Sequence, residues 1–164
     1  MPLFHFHRVI VFCCLLNLFL IVPSTFGQSK RIGAYEFRAA KNRHTVRVVV
    51  TNASFDSSKH NVDYVNNIGN IIDGHVAYGA EAVPRTQIKS IVLYFDGRRV
   101  KVPRFLYANC YNPNLEPENL KLRFEPDLQT VFVTMEGADG AGAYIVVWAL
   151  RRHGRHSRSF KPAF

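Results

Sequence analysis

The residues best suited to chemistry in this 164-residue chain are its cations. Arg98, Arg99, Lys101 and Arg104 form one group, and Arg151, Arg152, Arg155, Arg158 and Lys161 form a second near the C-terminus. Clustered guanidinium and ammonium groups attract anions through their summed field, so both groups are candidates for an anion-binding surface. Basic residues of this kind also guard exposed sheet edges against pairing with another chain. The formal net charge of +9 favours partners of the opposite sign, an anionic cell-envelope polymer or an acidic protein. Nucleic acid is not an expected partner, because no stacking motif accompanies the cations.

The other chemistry-bearing residues fall into weaker patterns. Gly137, Gly140 and Gly142 follow the order G-x-x-G-x-G, with Asp139 between the first two. A phosphate cradle needs its glycines after a strand and before a helix, whose N-terminus then faces the anion. Here strand-like residues follow, and there is no P-loop lysine. The loop is therefore read as a hairpin connection whose glycines accept positive φ. Glu136 and Asp139 bring two local carboxylates, far short of a calcium coordination shell. His153 and His156 are spaced H-x-x-H but sit among Arg151, Arg152, Arg155 and Arg158, whose charge opposes a bound cation, so no metal site is expected.

His60 and Asp63 could form a dyad, and a cleft joining them to His75 would suggest an enzyme. No G-x-S-x-G elbow or other nucleophile signature accompanies them. Glu116 and Glu118 straddle Pro117 and read as solvated turn charges unless the fold carries them to a cleft. Cys110 has no neighbouring base or cation in Tyr107–Tyr111 and reads as a buried small hydrophobe, with an intermolecular link as the alternative. Asn52-Ala53-Ser54 matches a glycosylation sequon. No catalytic residue, cofactor or metal is assigned.

The elements that would position these residues are mostly strands. Val46, Val48 and Val50 alternate with Thr45, Arg47 and Thr51 in a first strand over His44–Thr51. Ile88–Phe95 is apolar on both sides, Ile88, Val92 and Tyr94 against Ile91, Leu93 and Phe95, which predicts an interior strand. Asp96-Gly97 joins it to Arg98–Val102, where a tight hairpin turn would need positive φ at both positions. Arg104–Tyr111 allows one helical turn. Leu120, Leu122 and Phe124 alternate with Lys121 and Arg123. Leu128–Met135 and Ala143–Leu150 flank the glycine-rich loop as a central hairpin, with Trp148 expected in the core. Asn52–Asn70 reads as loop, Ile71–Ala82 as a weak strand broken at Asp73-Gly74 and Gly79, and Arg151–His156 as a turn into a basic tail. No amphipathic helix is evident. The count of about six to eight short strands predicts an all-β fold, a mostly antiparallel sandwich or a partly open barrel.

The N-terminus is set apart. Val9–Val22 is an apolar run interrupted by Asn17, ended by Pro23 and followed by Thr25 and Gly27 at small-residue positions, the layout of a secretory signal peptide over residues 1–27. The run is short for a bilayer span, though an uncleaved anchor is the competing reading, and no membrane span is expected after its removal. Removal takes Cys13 and Cys14 with it and leaves Cys110 as the one thiol, so the mature domain relies on its core rather than a disulfide. Residues 28–43 read as a basic arm, 44–160 as a single β-domain and 161–164 as a tail.

Two passages, Ile91–Pro103 and Glu136–Leu150, resemble small exported bacterial proteins of unassigned function, in which a DG-K/R-x-V-x-VP hairpin precedes a GxDGAGxY-x-V-x-W segment. The resemblance implies export to the periplasm or beyond the cell and a β-fold, and it supplies no site. The expectation is thus an exported binding or structural module of unknown ligand. The alternatives are a basic accessory protein docked on an anionic polymer or acidic partner, and a small hydrolase.

Overall fold

The computed structural model describes residues 32–65, 69–138 and 142–162. Residues 1–27, read from the sequence as a leader, and Asp139 and Gly140 lie outside these residues. The fold is all-β, with eleven strands among the described residues in three antiparallel sheets, none closed into a barrel. The strands are β1 (Ala34–Lys41), β2 (His44–Ser54), β3 (Val62–Val65), β4 (Gly69–Ile72), β5 (His75–Val76), β6 (Thr86–Phe95), β7 (Arg98–Lys101), β8 (Leu120–Phe124), β9 (Thr130–Gly137), β10 (Tyr144–Arg151) and β11 (Ser157–Pro162). The first sheet runs β1-β2-β6-β7, the second β11-β10-β9-β8, and a small third sheet runs β3-β4-β5. Among the described residues no helix is long and apolar enough to cross a membrane.

The two four-stranded sheets share one core. Val46, Val48, Val50, Leu93 and Phe95 from the first sheet meet Val131, Val133, Met135, Val146, Trp148 and Leu150 from the second. Period-two alternation places each set on the inward face, and the branched side chains fill the pleated surface. Trp148 is fully buried, and its indole N–H donates to the Leu106 carbonyl at 2.8 Å, so the ring is buried with its one polar group satisfied. Leu106 belongs to a single 3-10 turn, Arg104–Leu106, within the stretch where one helical turn is expected. At one margin of the sandwich β1 packs against β8.

The Asp96-Gly97 hairpin forms as expected. φ is 47° at Asp96 and 78° at Gly97, and the register closes with Phe95 opposite Arg98. Asp73-Gly74 repeats the device at φ 51° and 76° between β4 and β5, so it is a hairpin rather than a break in one strand.

Four readings need correction. The segment expected to be a basic arm contains β1, paired with β2 from Ala34 opposite Thr51 to Lys41 opposite His44; Tyr35, Phe37 and Ala39 pack inward, Glu36 and Arg38 lie on its outer side, and Lys41 is exposed at its end. The stretch taken as loop before Asn70 contains β3 and the start of β4. The basic tail is instead an edge strand, β11, paired with β10. The two faces of β6 also exchange partway. Thr51 pairs with Ser90 but Asn52 pairs with Ile88, which leaves Lys89 as an extra residue and turns Ile88 inward beside Ile91, Leu93 and Phe95.

The glycine-rich hairpin is held differently from the expectation. Neither Gly137 nor Gly142 has positive φ; Ala138 does, at 56°. Gly137 faces Tyr144 across the β9–β10 ladder, and a Cβ there would lie 2.2 Å from Tyr144 Cζ. The absent side chain is space for an aromatic ring.

Candidate anion-binding surface

The two basic clusters, far apart in sequence, meet on one side of the sandwich. β7 is the edge strand of the first sheet and β11 that of the second. The turn between β10 and β11 reaches across to β7 through His156. Its Nδ1 accepts the Arg151 backbone N–H at 3.1 Å, so Nε2 carries the proton and donates to the Lys101 carbonyl at 3.0 Å. Both ring nitrogens are thereby committed to backbone, which rules out the H-x-x-H pair with His153 as a chelate in this conformation. A second link is ionic: Arg152 lies 3.0 Å from Asp96 Oδ2 in the β6–β7 turn.

Asp96 organises this junction. Its Oδ1 accepts the Thr45 N–H at 2.8 Å, and its Oδ2 is 2.9 Å from His44 Nδ1. The Thr45 N–H, then His44, then the Arg152 charge hold its carboxyl below the usual range.

The nine candidate cations divide by role. Arg151 donates to the Arg155 carbonyl, Arg152 pairs with Asp96, and Arg158 donates to Asn109 Oδ1 with its guanidinium 4.9 Å from the Phe160 ring. These three brace the junction. Arg98, Arg99, Lys101, Arg104 and Arg155 are exposed and have no acidic partner among the described residues. Lys161 on β11 is exposed as well. A surface of unpaired, mobile-headed cations keeps its field available for a ligand, whereas paired ones have spent it.

The other candidate residues are not brought together. His60 does not pair with Asp63. Its Nδ1 lies 2.7 Å from Asp73 Oδ2, because the pairing of Val62 with Ile72 sets residue 60 beside the β4–β5 turn. His60, then the Asn61 N–H, lower the Asp73 carboxyl from its usual value. Asp63 instead accepts from Asn61 Nδ2 at 2.8 Å, and His75 is exposed. His60 stacks on Phe55 at 4.6 Å, and no hydroxyl or thiol hydrogen-bonds to it among the described residues. The dyad is a clasp between a 3-10 turn and a hairpin. Glu116 and Glu118 are exposed on either side of Pro117.

The glycine loop offers no free cradle on its described side, since the Gly142 N–H donates to the Glu81 carboxylate. An anion approaching there would meet a negative charge already in place. Cys110 is fully buried, and burial pushes its thiol up to about 12. Asn52 is 2 % exposed and accepts the Gly33 N–H at 2.8 Å, so the sequon asparagine is structural in the folded domain.

Several residues that matter went unnoticed in the sequence. Asp96 was legible only as a turn former. Asn112 accepts from Arg85 N–H and Thr86 N–H and donates to the Gly79 carbonyl at 2.7 Å, stitching loops that are distant along the chain. Arg38 was hidden in the supposed arm, although Arg47 could have been read from its place opposite the inward valines. No protein-family model, curated protein or solved structure matches the chain.

Proposed function

We propose that this chain is an exported binding module that docks on an anionic polymer through the rim formed by β7, the β10–β11 turn and β11. The observation that carries the reading is the convergence of two sequence-distant basic groups through the His156 and Arg152 links, with six exposed cations that have no acidic partner among the described residues. Three arginines brace the junction and leave the charge of the others available, which is the division of labour a charged docking surface requires. The leader-like segment Val9–Val22 supports a location where cell-envelope polymers are met. A hydrolase is less well supported, because His60 meets Asp73 rather than Asp63, and no hydroxyl or thiol hydrogen-bonds to it among the described residues.

The test is retention on an immobilised carboxylated or sulfated polysaccharide. Arg104 and Arg155 come from the two separate groups, are exposed, and make no side-chain ion pair among the described residues. The double variant Arg104→Glu with Arg155→Glu is expected to lower affinity at least tenfold while leaving the thermal midpoint unchanged. Undiminished retention of that variant would overturn the reading. Retention on acidic protein but not on polysaccharide would replace the polymer with a protein partner.

A further inference from the structure

The outer face of the first sheet carries a second, differently built cationic feature. Register places Arg38 of β1 opposite Arg47 of β2, Arg47 opposite Tyr94 of β6, and Tyr94 opposite Arg99 of β7. Alternation points all four away from the core, as one row across the strands. Neighbouring strands lie about 4.8 Å apart, so the row spans roughly 14 Å.

The row is pre-arranged. The Arg47 guanidinium lies 3.7 Å from the Tyr94 ring centroid, a stacked cation–π contact. Glu36 takes Arg47 Nη1 on Oε2 at 2.9 Å and Arg38 Nε on Oε1 at 2.6 Å. One carboxylate thus orients two guanidiniums, and these hydrogen bonds also lower its own protonation range, Arg47 contributing most. With Arg99 exposed, three cations stand against one anion. Beside them is an open concavity of about 470 Å³, lined by Arg38, Ala40, Thr45, Arg47, Tyr94 and Gly97. Gly97 leaves open space where a side chain would project.

We infer that this concavity binds an oxyanion carried on a sugar ring, a uronate or a sulfated or phosphorylated hexose. An apolar lining with guanidiniums at its rim matches a ring whose carbon face packs while its charged group meets arginine forks. The volume falls in the range of small-ligand sites. A ladder that merely stabilised the sheet would need Glu36, Arg47 and Tyr94, but not the outward Arg38 or the adjoining hollow. The site goes beyond the rim: Arg99 joins the end of the row to the rim but does not line the concavity. Its occupant is a single ring, whereas the rim meets a chain of charges.

The experiment is amide-resolved NMR titration of the exported chain with four probes: a glucuronate disaccharide, a sulfated disaccharide, the corresponding neutral disaccharide, and inorganic sulfate. At least one charged disaccharide is expected to shift resonances around Thr45, Arg47, Tyr94 and Gly97, with at least tenfold weaker binding of the neutral sugar and of sulfate. Arg38→Gln removes a cation whose side chain is 73 % exposed, and it is expected to weaken the charged sugar severalfold without shifting the thermal midpoint. Ala40→Met fills the hollow and is expected to block the same sugar while leaving Arg38 in place. Equal binding of neutral and charged sugars, sulfate binding as tightly as the disaccharides, or insensitivity to both variants would each overturn the assignment. The Arg104→Glu/Arg155→Glu rim variant serves as the separating control: it should retain disaccharide binding here even where polymer docking is lost.

Discussion

Replacing Gly137 by alanine separates two meanings of the glycine-rich hairpin. The added Cβ would lie 2.2 Å from Tyr144 Cζ, 2.3 Å from Cε1 and 2.5 Å from the hydroxyl oxygen. Atoms do not share that space, so the Tyr144 ring must move. It has little room, being buried, and its hydroxyl donates to the Tyr111 carbonyl at 3.1 Å. Forcing extra volume into a packed core costs about 1–3 kcal/mol. Losing the hydroxyl bond adds about 1 kcal/mol. Alanine returns about 0.5–1 kcal/mol through the less flexible unfolded chain. The net expectation is a loss of about 1–3.5 kcal/mol, a fall in Tm of roughly 4–14 °C for a domain of this size. Denaturant and thermal unfolding followed by circular dichroism would measure it. A Gly137→Ala protein as stable as the parent would refute the packing argument. Unchanged stability with loss of anion binding would restore the loop as a phosphate cradle.

Further outcomes follow from the same structure. The Asp96 carboxyl is held below its usual range in the folded state, so its contribution to stability is present above the ordinary carboxylate pKa and fades as pH falls through the lowered folded value. Asp96→Asn should therefore destabilise the domain at neutral pH and flatten its loss of stability on acidification; an unchanged pH–stability curve would contradict this. Asparagine keeps the positive-φ turn, so the hairpin itself should persist. Cys110, with its thiol pushed up to about 12, should resist aromatic disulfide reagents in native protein and react promptly in denaturant; rapid native labelling would overturn the buried reading. Trp148 emission should be blue-shifted in the native state and move to the red on unfolding, and native emission like that of free tryptophan would contradict its burial.

What the sequence disclosed depended on how much of each strand's stability is local. β2, β8 and the β6–β7 hairpin were legible because one strict alternation or one Asp-Gly pair specifies them. β10 was legible because Tyr, Ile, Val and Trp in a run favour extended backbone. β1 was not, because an edge strand buries only Tyr35, Phe37 and Ala39 and shows Glu36, Arg38 and Lys41 to solvent, which reads as a polar arm. β11 was missed for the same reason. β3 to β5 form a short sheet braced by distant side chains, such as Asn70 reaching the Ala82 carbonyl at 3.3 Å, and nothing local announces such bonds. The bulge at Lys89 illustrates a different limit: one extra residue exchanges the faces of half a strand without altering its composition. The partner of His60 was misread for a related reason, since the hairpin that supplies Asp73 is a tertiary neighbour. The basic clusters were visible residue by residue, but their meeting depends on His156 crossing to the Lys101 carbonyl, which only the packing of two sheets creates.

The central claim is that a convergent basic rim engages a polyanion, and salt dependence tests it most directly. Binding of the chain to a sulfated polysaccharide should be measured while salt rises from about 0.05 M to about 0.5 M, over which the screening length shrinks from roughly 14 Å to roughly 4 Å. The account predicts that affinity falls steeply across this range, and that the Arg104→Glu/Arg155→Glu protein shows both weaker binding and a shallower slope. Binding that is insensitive to salt, or a slope identical in the two proteins, would contradict it.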